Sequence, residues 1–283
     1  VTTSSRPRPE KKPLERLSRI RVRGFRSIRD LDLPLAQLNI LIGANGSGKS
    51  NLIGLFHLLS YLVTGSLRLY TSRQGDASSI LHYGPKRTPT LEAELHFQGE
   101  ANRSEYAFTL AHAAPDRFLF AREQVAFHTE GKDKPFTKVL DAGGAETELT
   151  ELAATAAAST GRKVARVFLE RLKRVQVYHF HDTSPTAPIR LSQDVDRTNL
   201  LLSTGGNLAS FLFMLRQEHA AHYQRIVATI RLAVPYFEDF ELAPQRHNAS
   251  KIQLRWRDRS PDYEFGPHQF SDGSLRAIAL ITA

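Results

Sequence analysis

A chain of 283 residues, 41% hydrophobic and 24% charged, has ample apolar side chains for a buried core and is too apolar for disorder to dominate it. Its lack of cysteine excludes a disulfide framework and any thiolate metal site. The longest dense apolar stretch, LIGLFHLLSYLV, includes His57 and Ser60 and is too short and too polar to span a bilayer; with no secretory signal visible either, a cytoplasmic protein without membrane contacts is expected. The net charge of +9 is localised: residues 1–29 hold ten of the 38 Lys and Arg against Glu10 and Glu15, which leaves 28 basic against 27 acidic residues elsewhere. Such an arm can add salt-sensitive phosphate contacts, although a solvated tail is the commoner meaning of a basic run.

In chain order, residues 1–16 are Pro-rich and charged and read as a disordered basic arm. Ile20, Val22 and Phe25 alternate with Arg21 and Arg23 as in a half-exposed strand. Residues 38–42, LNILI, form an unbroken apolar run that suits a buried sheet position. GANGSGKS follows, and then Leu52, Ile53, Phe56, Leu59, Leu62 and Val63 recur at helical spacing up to Gly65. LEAELHF and YAFTL alternate around a turn as an antiparallel hairpin, with more strand at FLFAREQVAF. ELAATAAAST and RKVARVFLERLKR are helix formers separated by Gly161, and VQVYHFH reads as strand. A single long helix is predicted from Asn207 towards Pro235, then a late strand, KIQLRWR, and a final helix in SLRAIALITA.

The chemistry concentrates in two places. In GANGSGKS, Gly43, Gly46 and Gly48 let the backbone turn tightly with its N–H groups inward, and the helix behind adds its positive dipole end. Lys49 would place an ammonium on the β- and γ-phosphates, and the Ser50 hydroxyl would serve Mg²⁺. No Asn-Lys-x-Asp guanine reader exists, which rejects a GTPase, and the antiparallel region is foreign to a compact small-molecule kinase. The second place is FSDGSLRAIAL, where Ser271, Asp272 and Gly273 open a helix and offer a second phosphate receptor; SDGS alone is also an ordinary turn and N-cap. His179, His181 and Asp182 are close in sequence but lack a further metal ligand. Strand alternation puts Trp256 in the core and Arg255 and Arg257 on the other face.

Taken together, GFRSI (residues 24–28), LIGANGSGKSNL, the antiparallel strands, YHFHDTS, GGNLASFL and FSDGSLR resemble the ABC-type ATPase heads of the SMC, RecF and OLD-like superfamily, in particular bacterial AAA-family ATPases with RecF-like heads. The resemblance implies an α/β P-loop NTPase of ABC/SMC-head type with an inserted antiparallel β subdomain and a helical lobe. It would occupy 17–283: a P-loop strand and helix at 17–66, the β subdomain at 88–140, the lobe at 145–235 and the signature region at 250–283. It further implies that ATP and Mg²⁺ bind at Gly43, Asn45, Gly46, Ser47, Gly48, Lys49 and Ser50, with Arg26 and Ser27 near the nucleotide. Ser271 and Gly273 would complete the site of a second copy in a nucleotide-dependent homodimer.

Two departures stand out. The glutamine that links the γ-phosphate to the lobe has only Gln124, beside Glu123, as a candidate. The Asp-Glu strand that holds Mg²⁺ and polarises water has no internal substitute, since VPYFED carries Pro235 in its apolar run; the resemblance places it beyond Ala283. Hydrolysis is therefore expected of a full-length protein and not of this span. DNA repair or anti-phage defence is the implied setting, and the alternative is an ATP-sensing module that controls a partner protein without touching DNA.

Overall fold

The computed structural model describes residues 15–100, 102–129, 131, 135–155, 159–196, 200–259 and 263–283; residues 1–14 of the arm expected at 1–16 lie outside them. The chain divides into two compact units, Val1–Gln176 and Val177–Ala283.

The first unit is built on strands β1 (Arg16–Phe25), β2 (Ile28–Pro34), β3 (Thr90–Gln98), β4 (Asn102–Ala113), β5 (Arg117–Thr129) and β6 (Phe136–Leu140). They form one six-stranded sheet in the order β2-β1-β3-β4-β5-β6. Its helices are α1 (Lys49–Leu62), α2 (Leu67–Arg73), α3 (Asp76–Ile80), α4 (Glu148–Ala154) and α5 (Thr160–Lys173). The period-2 pattern fixes the register: Ile20 lies opposite Leu95 and Val22 opposite Ala93, so apolar side chains share one face. That face forms a single core with Leu55, Leu58, Leu59 and Leu62 of α1 and Phe168 and Leu172 of α5.

The other face carries a ladder of charge in which Arg19 pairs with Asp32, Arg21 with Asp32 and Glu94, and Arg23 with Asp30 and Glu92. Two polar clusters brace the unit from within. Arg171 of α5 donates to Glu15 Oε1 at 2.6 Å and to Ser104 Oγ at 2.6 Å, so Glu15 and Arg16, expected in the arm, belong to the folded unit. Glu123 is fully buried and accepts from Tyr106 Oη at 2.6 Å, from the Thr147 hydroxyl and from the Glu148 amide at 3.0 Å. Burial pushes its carboxyl above the usual range against the pull of those bonds.

Three expectations for this unit are corrected. The strands expected at 17–66 and those of the β subdomain are neighbours in one sheet, because β1 pairs with β3. Every strand pair among the described residues is antiparallel. Residues 38–42 form no strand: Leu38, Ile40, Leu41 and Ile42 are 78%, 73%, 46% and 90% exposed. An apolar run acquires strand geometry only when a neighbour satisfies its backbone groups, and no strand among the described residues pairs with this one. Gly161, expected to separate two helices, lies in the first turn of α5.

The second unit holds β7 (Gln193–Asp194), α6 (Leu208–Glu218), α7 (Ala220–Ala233), β8 (Phe237–Glu241), β9 (Pro244–Gln245), β10 (Asn248–Ile252), β11 (Arg255–Asp258), β12 (Glu264–Phe265) and α8 (Asp272–Thr282). Two three-stranded sheets, β7-β10-β9 and β12-β11-β8, accompany the helices. The long helix expected from Asn207 is two helices, because His219, at φ −136° and ψ 50°, leaves the helical region between them. The apolar period continues across the break, which is why the pattern conceals it. KIQLRWR is likewise split between β10 and β11, in different sheets, and VQVYHFH forms no strand. Trp256 is buried and stacks on Phe265 and Phe270, with both centroid distances 4.5 Å, while Arg255 and Arg257 pair with Glu264 and Glu241. Among the described residues no helix is long and apolar enough to cross a membrane.

Candidate functional site

Residues 43–47 are exposed and lead through the half-buried Gly48 into α1. Gly46 and Gly48 have φ of +83° and +93°, which favours glycine at both. A Cβ on Gly43 would lie 2.9 Å from Ser47 Oγ, and one on Gly48 3.1 Å from Ser27 Oγ. The first turn of α1 has no side-chain cap and no acidic residue, so the positive end of a 14-residue helix is left uncompensated. Lys49 Nζ bends back to donate to the carbonyls of Gly43 at 2.7 Å and Ala44 at 2.8 Å and to Ser47 Oγ at 3.3 Å. Its charge is thus centred on the turn with no carboxylate among these contacts, as an anion receptor requires. Asn45 and Ser50 are exposed on the same stretch.

Arg26 and Ser27, distant in sequence, are brought to this helix. Asn51 Nδ2 donates to Ser27 Oγ at 2.6 Å. Arg26 takes a left-handed conformation at φ 52°, and its guanidinium lies 3.2 Å from the point where a Cβ on Gly54 would stand. The same guanidinium donates to Gln74, which caps the C-terminus of α2, and His82 Nδ1 lies 2.7 Å from the Arg26 carbonyl oxygen. Asn51, Gln74 and His82 were missed by sequence reasoning. Only Asn51, adjacent to the motif, carried a local signal.

The turn suits a nucleotide triphosphate with its magnesium, because the narrow places fall at glycines and the charge is positive. Among the described residues no group of three or more His, Asp and Glu could hold a metal ion. His179 and His181 have ring centroids 5.4 Å apart, and Asp182 instead accepts from the Ser184 amide and hydroxyl at 3.1 and 2.8 Å. Gln124 lies on β5 and accepts from Arg122 at 2.7 Å. On β8, Asp239 accepts from Tyr223 at 2.6 Å and Glu238 pairs with Arg231 at 2.8 Å, so both acids of the Pro235 segment are engaged within their unit.

In the second unit, Ser271 caps α8 by accepting from the Ser274 amide at 3.1 Å. Ser274 Oγ lies 2.8 Å from Ser271 Oγ and 2.7 Å from Tyr236 Oη. Ser271, Asp272 and Gly273 are exposed, and a Cβ on Gly273 would meet nothing nearer than Ser271 Oγ at 4.0 Å.

A glycine-rich turn with a centred lysine, opening a helix beside a sheet, defines a P-loop nucleotide-binding chain. The chain belongs to the family described as "AAA domain, putative AbiEii toxin, Type IV TA system", whose profile matches residues 38–283. It is accordingly an ATP-binding chain of an ATPase superfamily. Over 98 residues it is 31% identical to "OLD nuclease" of Thermus scotoductus (strain ATCC 700910 / SA-01), a match covering 33% of this chain and 17% of that protein.

Proposed function

We propose that the protein is an ATP-binding head whose two helix starts, the loop at residues 43–50 and the SDGS turn at 271–274, meet between copies and enclose the triphosphate. In this reading Gly43, Asn45, Gly46, Ser47, Gly48 and Lys49 hold the phosphates. Ser50 offers its hydroxyl to Mg²⁺, Arg26 and Ser27 support the loop, and Ser271 and Gly273 face the nucleotide of the neighbouring copy. Bound Mg²⁺ would neutralise phosphate charge and prepare the γ-phosphoryl group for transfer to water.

The observation that carries the reading is Gly273. Its exposed Cα has no positive φ and room for a methyl group, so neither backbone geometry nor packing within the chain calls for glycine there. A helix pays entropy for glycine, whereas a surface that another body must approach closely gains from it. Gly273→Ala should stabilise the fold by about 0.5 kcal/mol. The added methyl should also weaken ATP-dependent self-association by about 1 to 3 kcal/mol, or about 5- to 150-fold. Thermal melts and sedimentation velocity with MgATP measure both, and unchanged association in the variant would contradict the reading.

The nuclease relative favours a head that acts with nucleic acid in defence. The charge ladder favours the second reading, an ATP-gated module for a protein partner, because three of the arginines from the basic N-terminal stretch are already matched by Asp30, Asp32, Glu92 and Glu94. Titration with duplex DNA at two salt concentrations, with and without ATP, separates them. The first predicts ATP-dependent binding that falls with salt, and the second predicts none.

A further inference from the structure

Arg190 ends a single turn of 3₁₀ helix, Pro188–Arg190, and is 5% exposed. Its guanidinium reaches toward the start of α8. Nε donates to the Thr183 carbonyl at 2.8 Å, Nη1 to the carbonyls of Pro267 and, at 3.3 Å, Phe270, and Nη2 to Asp272 Oδ1 at 2.8 Å. Four acceptors on two segments, Thr183 and residues 267–272, thus converge on one buried cation. Only one of them is anionic, and that carboxylate, in the first turn of α8, is itself 63% exposed.

Core packing already anchors the turn before α8, since Phe270 is buried against Trp256 and Gln269 accepts from the Gly266 amide at 2.6 Å. Arg190 acts further along. By drawing the Pro267 and Phe270 carbonyls inward it sets the direction in which the chain enters Ser271. By pairing with Asp272 it supplies a countercharge where a bare carboxylate would repel an arriving phosphate. Arg276, from α8 itself, donates to the His181 carbonyl at 2.8 Å and lies 3.3 Å from Thr183 Oγ1, so the segment gripped by Arg190 is tied to the same helix twice. A lysine could supply the charge but not the planar fork that serves this spread of acceptors.

We propose that Arg190 is a positioning residue for the contact between the SDGS turn and the triphosphate of a neighbouring copy, acting through Asp272 and the carbonyls of Pro267 and Phe270. The inference rests on the ATP-dependent association proposed above. Its test uses the full chain in four forms, wild type, R190K, D272A and D272N, with dimer affinity in MgATP from sedimentation, nucleotide affinity from calorimetry and thermal melts of each. R190K and D272A should weaken the ATP-dependent dimer by about 10-fold or more. D272N keeps an acceptor oxygen for Arg190 and should recover part of the association that D272A loses, and nucleotide affinity, read at concentrations where the chain is monomeric, should not change. A general loss of structure would instead lower melting and nucleotide affinity together. D272A, altered at an exposed side chain, keeps the test decisive should R190K fold poorly. Wild-type association in D272A would overturn the role of Arg190 while leaving the dimer reading intact. A wild-type chain that remains monomeric in MgATP would overturn both.

Discussion

Lys49 shows how much one side chain is asked to do. With three oxygen contacts inside its own loop and no acid among them, it holds the turn in shape and keeps a positive charge at its centre. Phosphate oxygens would replace those carbonyls with charge-assisted bonds, the strong class of hydrogen bond. Lys49→Ala should therefore cost about 1.5 to 3 kcal/mol of nucleotide binding, or about 10- to 150-fold in affinity. Equal calorimetric affinities for wild type and variant would remove Lys49 from the site. At this scale the sequence was most informative where a backbone constraint dictates residue type: Gly46 and Gly48 sit at positive φ within a recognisable motif. Arg190 was illegible, because its role comes from acceptors 7, 77, 80 and 82 residues away.

Elements were legible where one period coincides with one element. The alternation in β3 and β4 gives their pairing, Leu91 opposite Leu110 through Gln98 opposite Arg103, because each face has its own solvent. Periodicity could not show that His219 interrupts a helix, nor that residues 38–42 lack a strand partner, since both depend on a backbone state that apolar spacing does not encode. The outer face of β1 makes its own prediction. Asp32 is held at about 2, below its ordinary 3.8, chiefly by the hydrogen bond from Arg19 and then that from Arg21. A depressed carboxyl contributes stability that is present above 3.8 and lost as pH falls toward 2. The melting temperature should decline through that window, and Asp32→Asn should flatten that part of the curve. Superimposable acid profiles would show that the ladder adds nothing to folding, a real outcome for pairs this exposed.

At the scale of the molecule, each compact unit carries one of the two helix starts proposed to receive phosphate, the loop in the first and the SDGS turn in the second. The surplus of positive charge, a possible nucleic-acid signal in composition, is partly consumed on the sheet surface once the fold sets Arg19, Arg21 and Arg23 beside acids. The central claim is that the two receptors form one clamp across copies. Complementation tests it most directly: a chain carrying Lys49→Ala mixed with one carrying Ser271→Arg regenerates one sound loop facing one sound turn. Sedimentation in MgATP should then show a mixed dimer from two chains that each remain monomeric alone. Absence of that dimer, with the wild type associating under the same conditions, would contradict the account.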